Sequence, residues 1–89
     1  MIRKKVKIVN KLGLHARPAA MLVTEAARFE AEVYFTKEGL RVNGKSIMGV
    51  MMLAAEAGSE LTIEASGPDE AQAVEALANV IAAGFGEEV

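Results

Sequence analysis

Glu32-Val33-Tyr34-Phe35-Thr36-Lys37-Glu38-Gly39-Leu40-Arg41-Val42-Asn43-Gly44-Lys45-Ser46 admits two readings, and they lead to different folds. The second half, Gly39 to Ser46, fits G-x-x-x-x-G-K-[ST], the phosphate-cradling loop of nucleotide-binding proteins. The alternation of side chains says otherwise. Val33 and Phe35 share one side and Tyr34 and Thr36 the other; after a turn at Glu38-Gly39, Leu40 and Val42 alternate with Arg41 and Asn43. That is the pattern of a β-hairpin. A phosphate loop has to curl through residues 40–43 to aim its N–H groups at the ligand, which an extended strand cannot do. The nucleotide-binding fold also needs a parallel sheet of several crossover units, more than 89 residues supply. No apolar strand ends in an Asp that could hold magnesium. The hairpin reading therefore prevails, and the sheet is antiparallel.

The flanking segments extend this sheet. Residues 2–9 place Val6 and Ile8 on one face and Lys5 and Lys7 on the other, a basic strand whose lysines discourage edge pairing. Residues 60–66 turn Leu61, Ile63 and Ala65 inward and Thr62, Glu64 and Ser66 outward. Helical spacing governs the rest. Ala19, Leu22, Val23 and Ala26 form a core stripe over Ala16 to about Ala27, and Pro18 in the first turn puts the start at His15 or Ala16. Ser46 is a good N-cap for a short helix that begins at Ile47 and is closed by Glu56-Ala57-Gly58. Gly67-Pro68-Asp69 reads as a turn and cap before a helix from Glu70 to about Ala83, with Val74, Leu77, Ala78 and Ile81 on its core face; Gly84 and Gly86 end it. The order is β-α-β-β-α-β-α. Half-buried strands with helices on one face make a two-layer α+β sandwich with an open sheet face.

Composition narrows the chemistry. Residues 1–89 have room for one domain, and 52% hydrophobic with 25% charged residues is a globular balance. There is no cysteine, which removes disulfides, thiolate metal sites and thiol nucleophiles together. A single histidine excludes any site built on two or more imidazole ligands, and a carboxylate-only site would favour a hard cation; no metal and no cofactor is expected. Ten basic against twelve acidic residues, net −2, disfavour bulk binding to nucleic acid. The longest apolar run, about Ile47 to Ala55, is far short of the ~20 residues a spanning helix needs. With no export signal and no disulfide framework, the protein is expected in the cytoplasm, without membrane insertion.

The one histidine sits in the informative stretch Leu12-Gly13-Leu14-His15-Ala16-Arg17-Pro18-Ala19-Ala20. A lone His is by default a packing or capping residue. Here it falls at a helix start, where free N–H groups and the dipole attract an anion. Arg17 adds a fixed charge and a fork of donors suited to phosphate oxygens. Gly13 and Pro18 bracket the site and shape its backbone. A nucleophilic imidazole beside a pre-formed anion site is the arrangement needed to accept a phosphoryl group.

Gly13-Leu14-His15-Ala16-Arg17-Pro18-Ala19 and Gly44-Lys45-Ser46-Ile47-Met48-Gly49-Val50-Met51 resemble the two signature segments of the HPr family, the histidine-containing phosphocarriers of the bacterial phosphoenolpyruvate-dependent sugar phosphotransferase system. The likeness covers essentially the whole chain in length, motif spacing and element order. It implies strand order 1-4-2-3, which the element order permits without selecting. It also implies a carrier and not an enzyme. His15 would take a phosphoryl group on Nδ1 from phosphorylated enzyme I and pass it to an enzyme IIA domain, assisted by Arg17 and the backbone N–H groups of Ala16 and Arg17. Ala16 departs from the Ser or Thr of many members, so a hydroxyl contact to the phosphate is lost while the backbone N–H remains. In some members the C-terminal carboxylate approaches the arginine; Gly86-Glu87-Glu88-Val89 speaks neither for nor against that.

Ser46 alone is a plain N-cap. The resemblance adds a regulatory role: in some members the matching serine is phosphorylated by a kinase, with a serine kinase/phosphorylase and a catabolite-control transcription factor as partners. Ile47, Met48, Met51 and Met52 cannot all be core on so short a helix, because successive side chains diverge by about 100°. The family places the residues matching Ile47, Met48 and Met51 near the histidine as a partner-docking patch, a role suited to adaptable methionines. The protein is expected to be a monomer. The alternative is a regulatory HPr-like paralogue, nitrogen-branch or catabolite-control, acting mainly through protein binding. A regulatory-only paralogue without a carrier role would be expected to lose the histidine, and His15 with Arg17 argues against that; nitrogen-branch members keep the histidine and stay open, although Ser46-Ile47-Met48-Gly49-Val50-Met51 resembles the sugar branch more.

Overall fold

A computed structural model describes residues 1–89, and the alternating segments pair into one antiparallel sheet. The strands are β1 (Ile2–Lys7), β2 (Glu32–Lys37), β3 (Leu40–Asn43) and β4 (Glu60–Ser66). Between and after them run α1 (Ala16–Ala26), α2 (Ile47–Met52) and α3 (Glu70–Ala82), followed by a 3-10 turn, Gly84–Gly86. The sheet order is β1-β4-β2-β3, the order the family resemblance implied. β4 pairs with β1 from Ile2↔Ala65 to Lys7↔Glu60 and with β2 from Glu32↔Ser66 to Thr36↔Thr62. The lysine-rich β1 lies at one edge, as expected. Tyr34↔Asn43 to Lys37↔Leu40 pair β2 with β3 across Glu38-Gly39, both in the left-handed region at φ 49 and 83. Residues 40–43 are thus a strand, and the Lys45 ammonium donates to the Phe29 carbonyl at 2.7 Å, so no phosphate loop forms.

One sheet face meets the helices. Val33, Phe35, Leu61 and Ile63 from the strands pack with Leu22 and Ala26 of α1 and Leu77 and Ile81 of α3, all 2% exposed or less. Val23, assigned to the core stripe from its spacing, is only half-buried. The other sheet face is open, but Glu64 on it is just 6% exposed, because the side chains of Arg3 and Arg41 cover it. Arg41 in turn lies over the Tyr34 ring, 3.7 Å from its centroid.

Three details differ from the sequence reading, the first being that β1 stops at Lys7 and not at residue 9. α2 ends at Met52 and not at Glu56-Ala57-Gly58. Ala54 turns left-handed at φ 48, which buries both Leu53 and Ala55 and brings the chain back along residues 8–14: Leu14 N–H donates to Ala55 at 2.8 Å and Gly58 N–H to Ile8 at 2.8 Å. Asp69 does not cap α3 with its side chain. Its carboxylate instead accepts from the N–H groups of Glu30 and Ala31, both at 2.9 Å, and ties the α1–β2 connection to the α3 start.

The close approach of residues 13 and 55 makes Gly13 obligatory. Its φ is +71, and a Cβ there would lie 2.5 Å from the Ala55 carbonyl oxygen and 2.8 Å from Glu56 Cα. Gly13→Ala combines left-handed strain with a backbone overlap and is expected to cost about 2–4 kcal/mol. Urea unfolding measures it; a loss under about 0.5 kcal/mol would mean that the two segments separate freely.

Candidate functional site

The Asn10–Leu14 loop delivers His15 to the start of α1. Asn10 is fully buried and its Nδ2 donates to the Gly13 carbonyl at 2.8 Å, while Gly13 N–H returns to the Asn10 carbonyl at 3.2 Å. Leu14 is buried against the core and fixes the next residue by its bond to Ala55. His15 is therefore the N-cap of α1, with extended backbone at φ −75, ψ −173 and no capping bond from its ring. Pro18 is buried in the first turn and has no N–H to satisfy. The N–H groups of Ala16 and Arg17 donate to no backbone carbonyl and remain open at the helix end. His15 and Arg17 side chains are 39% and 60% exposed.

One carboxylate that the sequence did not reveal joins these groups. Glu87 Oε2 lies 2.9 Å from His15 Nε2 and 2.9 Å from Arg17 Nη1. Its Oε1 accepts from Asn10 Nδ2 at 3.0 Å. A carboxylate accepts only, so Nε2 carries a proton and donates, and in the neutral form of the ring the lone pair lies on Nδ1. The hydrogen bond from His15 holds the Glu87 carboxyl below its usual value; burial opposes this, and the bonds from Asn10 and Arg17 reinforce it. Two acids near the end of a chain ordinarily read as solvated charge. The only hint in sequence was Phe85 between two glycines: it is 1% exposed and anchors the turn that presents Glu87.

The lowered carboxyl has a consequence for pH. A group whose folded value lies below its unfolded one stabilises above the unfolded value and loses that contribution as pH falls through the folded value. The bonds of Glu87 are accordingly present at neutral pH and lost as acidification passes through its folded value, below the usual Glu range. Amide exchange at residues 86–88 is expected to accelerate there ahead of global unfolding. Exchange that keeps pace with the β4 amides would contradict this.

Ser46 is the N-cap of α2, and its hydroxyl accepts from Gly49 N–H at 3.1 Å. It shares no hydrogen bond with His15 or Arg17. Of the α2 residues only Val50 is buried. Ile47, Met48, Met51 and Met52 are 45, 74, 42 and 66% exposed, so all four lie on the surface of a helix that packs against α1 and β3. The α1 start thus brings together an imidazole, a guanidinium and free N–H donors, and α2, which packs against α1, carries the exposed apolar side chains. No helix is long and apolar enough to cross a membrane.

Comparison with known proteins bears on this site. The family model described as "PTS HPr component phosphorylation site" matches residues 2–83. The phosphocarrier protein HPr of Neisseria meningitidis is 49% identical over 98% of this chain and 98% of its own. The HPr-like protein Crh of Bacillus subtilis is 51% identical over 88% of this chain and 92% of its own. The crystal structure of HPr from Thermoanaerobacter tengcongensis superposes with a TM-score of 0.96 at 43% identity, covering 100% of both chains. A dimer of T. tengcongensis HPr is also solved, with a TM-score of 0.79 at 42% identity, covering 98% of this chain and 100% of that one. The expectation of a monomer therefore gains no support from these relatives.

Proposed function

The chain belongs to the HPr phosphocarrier family, and on that premise we propose that His15 accepts a phosphoryl group from phosphorylated enzyme I and donates it to the enzyme IIA component of a sugar transporter. The observation that carries this reading is the Nδ1 lone pair of His15, left free at a helix N-terminus beside Arg17. The N–H groups of Ala16 and Arg17 and the unused donors of the Arg17 fork face the charge that a phosphoryl group brings. Transfer between two histidines is mainly positioning and charge stabilisation, which these groups supply. The protein is then a substrate shared by other proteins, with no turnover of its own and no cofactor, working in the cytoplasm as one domain.

Ile47, Met48 and Met51 form the docking face for enzyme I and IIA. A charge at a highly exposed methionine should harm docking and spare the fold. Met48→Asp is expected to raise the KM for the enzyme I reaction about tenfold with a stability change within about 0.5 kcal/mol. Steady-state kinetics and urea unfolding check the two halves, and a large loss of stability would assign Met48 to the core. Ser46 is a regulatory phosphorylation site for a serine kinase/phosphorylase: a phosphate at an N-cap is compatible with the helix and adds negative charge beside the docking face. A catabolite-control transcription factor is the partner class for that form.

A regulatory role through binding alone is the second reading, favoured by the 51% identity to Crh, the catabolite repression HPr of Bacillus subtilis. Incubation with enzyme I and labelled phosphoenolpyruvate discriminates. Acid-labile label on His15 is expected; its absence leaves the binding role.

A further inference from the structure

We propose that Glu87 is a positioning residue for phosphoryl transfer: it keeps the proton on Nε2 of His15, sets the ring so that Nδ1 is the nucleophile, and balances the charge that the ring acquires. This rests on the carrier reading above and assigns a role to a side chain outside both signature segments.

Glu87 is not a loose acid. Its side chain is 14% exposed and is held from three sides, by His15 and Arg17 on Oε2 and by Asn10 on Oε1. Asn10, itself fully buried and bonded to Gly13, cannot drift away. The main chain on either side is tied as well. Lys11 N–H donates to the Glu88 carbonyl at 2.8 Å, and Glu87 N–H to Gly84 at 2.9 Å. A carboxylate so fixed constrains the imidazole by a bond of 2.9 Å and leaves the other ring nitrogen outside the network.

The charge balance of the step gives this contact its purpose. The Nδ1 lone pair forms the N–P bond while the P–N bond to the donor histidine breaks, and that electron pair leaves on the donor nitrogen. His15 loses no proton. Its ring therefore becomes an imidazolium, with the positive charge shared at Nε2–H, where the Glu87 carboxylate meets it. Arg17 uses only Nη1 on Glu87, so its remaining donors are free for the phosphoryl oxygens. In the reverse direction the protonated ring departs from phosphorus as a neutral imidazole, a good leaving group. A carrier needs a bond that forms readily and breaks readily, and a proton retained on Nε2 serves both steps.

The test uses the full chain with Glu87→Gln and Glu87→Ala, read by nitrogen-15 NMR of the His15 ring and by enzyme I-dependent phosphorylation with labelled phosphoenolpyruvate. In the wild type a hydrogen-bonded Nε2–H proton signal is expected. Glu87→Ala should lose it to solvent exchange, and Glu87→Gln should keep an acceptor but shift the signal upfield. For both variants kcat is expected to fall on the order of tenfold, with KM little changed because the Glu87 side chain bonds to His15, Arg17 and Asn10 and to no α2 residue. Wild-type kcat in both variants overturns the role of Glu87 while the carrier reading stands. A change confined to KM likewise overturns it, since that would mark a docking contact. Absence of label on wild-type His15 overturns the carrier reading itself.

Discussion

Replacement of His15 by Ala is expected to abolish phosphoryl acceptance, a loss of at least about a thousandfold, while leaving the fold intact. The chain holds one histidine and no cysteine, so no second imidazole or thiol nucleophile can take over. The fold should survive because the ring contributes little packing: it is 39% exposed and caps no helix N–H. Its loss leaves Glu87 still paired with Arg17 and Asn10, so no buried charge is orphaned. Two experiments run on the same sample decide the matter. Incubation with enzyme I and labelled phosphoenolpyruvate should give no acid-labile label, and circular dichroism should superpose on that of the wild type. Acid-labile label on His15→Ala would move the acceptor elsewhere; an unfolded variant would show that the ring has a structural role the geometry does not indicate.

Phe85→Ala is expected to cost about 3–5 kcal/mol of stability. The ring is 1% exposed and is among the largest fully buried side chains. Native domains hold only about 5–15 kcal/mol in total, and one of this size lies toward the lower end. Phe85 sits in the left-handed region at φ 58, and Ala at the same position meets the same backbone requirement, so the loss reports packing. Urea unfolding should show a lower midpoint with an unchanged slope. A loss below about 1 kcal/mol would mean that the tail docks weakly. The same variant couples stability to the site, because the turn that Phe85 anchors is the one that presents Glu87. A reduced rate of phosphoryl acceptance in the molecules that remain folded is the accompanying expectation.

Most of the fold was legible because each element satisfied its own periodicity. Alternation at Val33, Phe35, Val42, Leu61 and Ile63 marked the buried face of the sheet before any contact was known, and all five are buried. The hairpin disposed of the nucleotide loop for the same reason. Helix ends were less readable where a long-range partner set them. The stop of α2 at Met52 depends on Leu53 and Ala55 docking beside residues 8–14, and the side chain of Asp69 was claimed by the backbone of residues 30 and 31, far away in sequence. Neither partner can be inferred from neighbours along the chain.

The site divides along the same line. His15, Arg17 and Pro18 lie within four residues, so the local helix start brings them together, and a short motif is enough to find them. Ser46 likewise declares itself as a cap to the helix it begins, and the bond to Gly49 is local. The sequence by itself thus determined an α+β sandwich, its one imidazole at a helix start and the cation beside it, because periodicity and capping are properties of adjacent residues. Glu87, 72 positions from His15, and Asn10, 77 positions from Glu87, met only through the packing of the tail. Which nitrogen of the histidine keeps its proton, and which is left free, was decided there, because a hydrogen bond depends on distance in space and the chain carries no local mark of it.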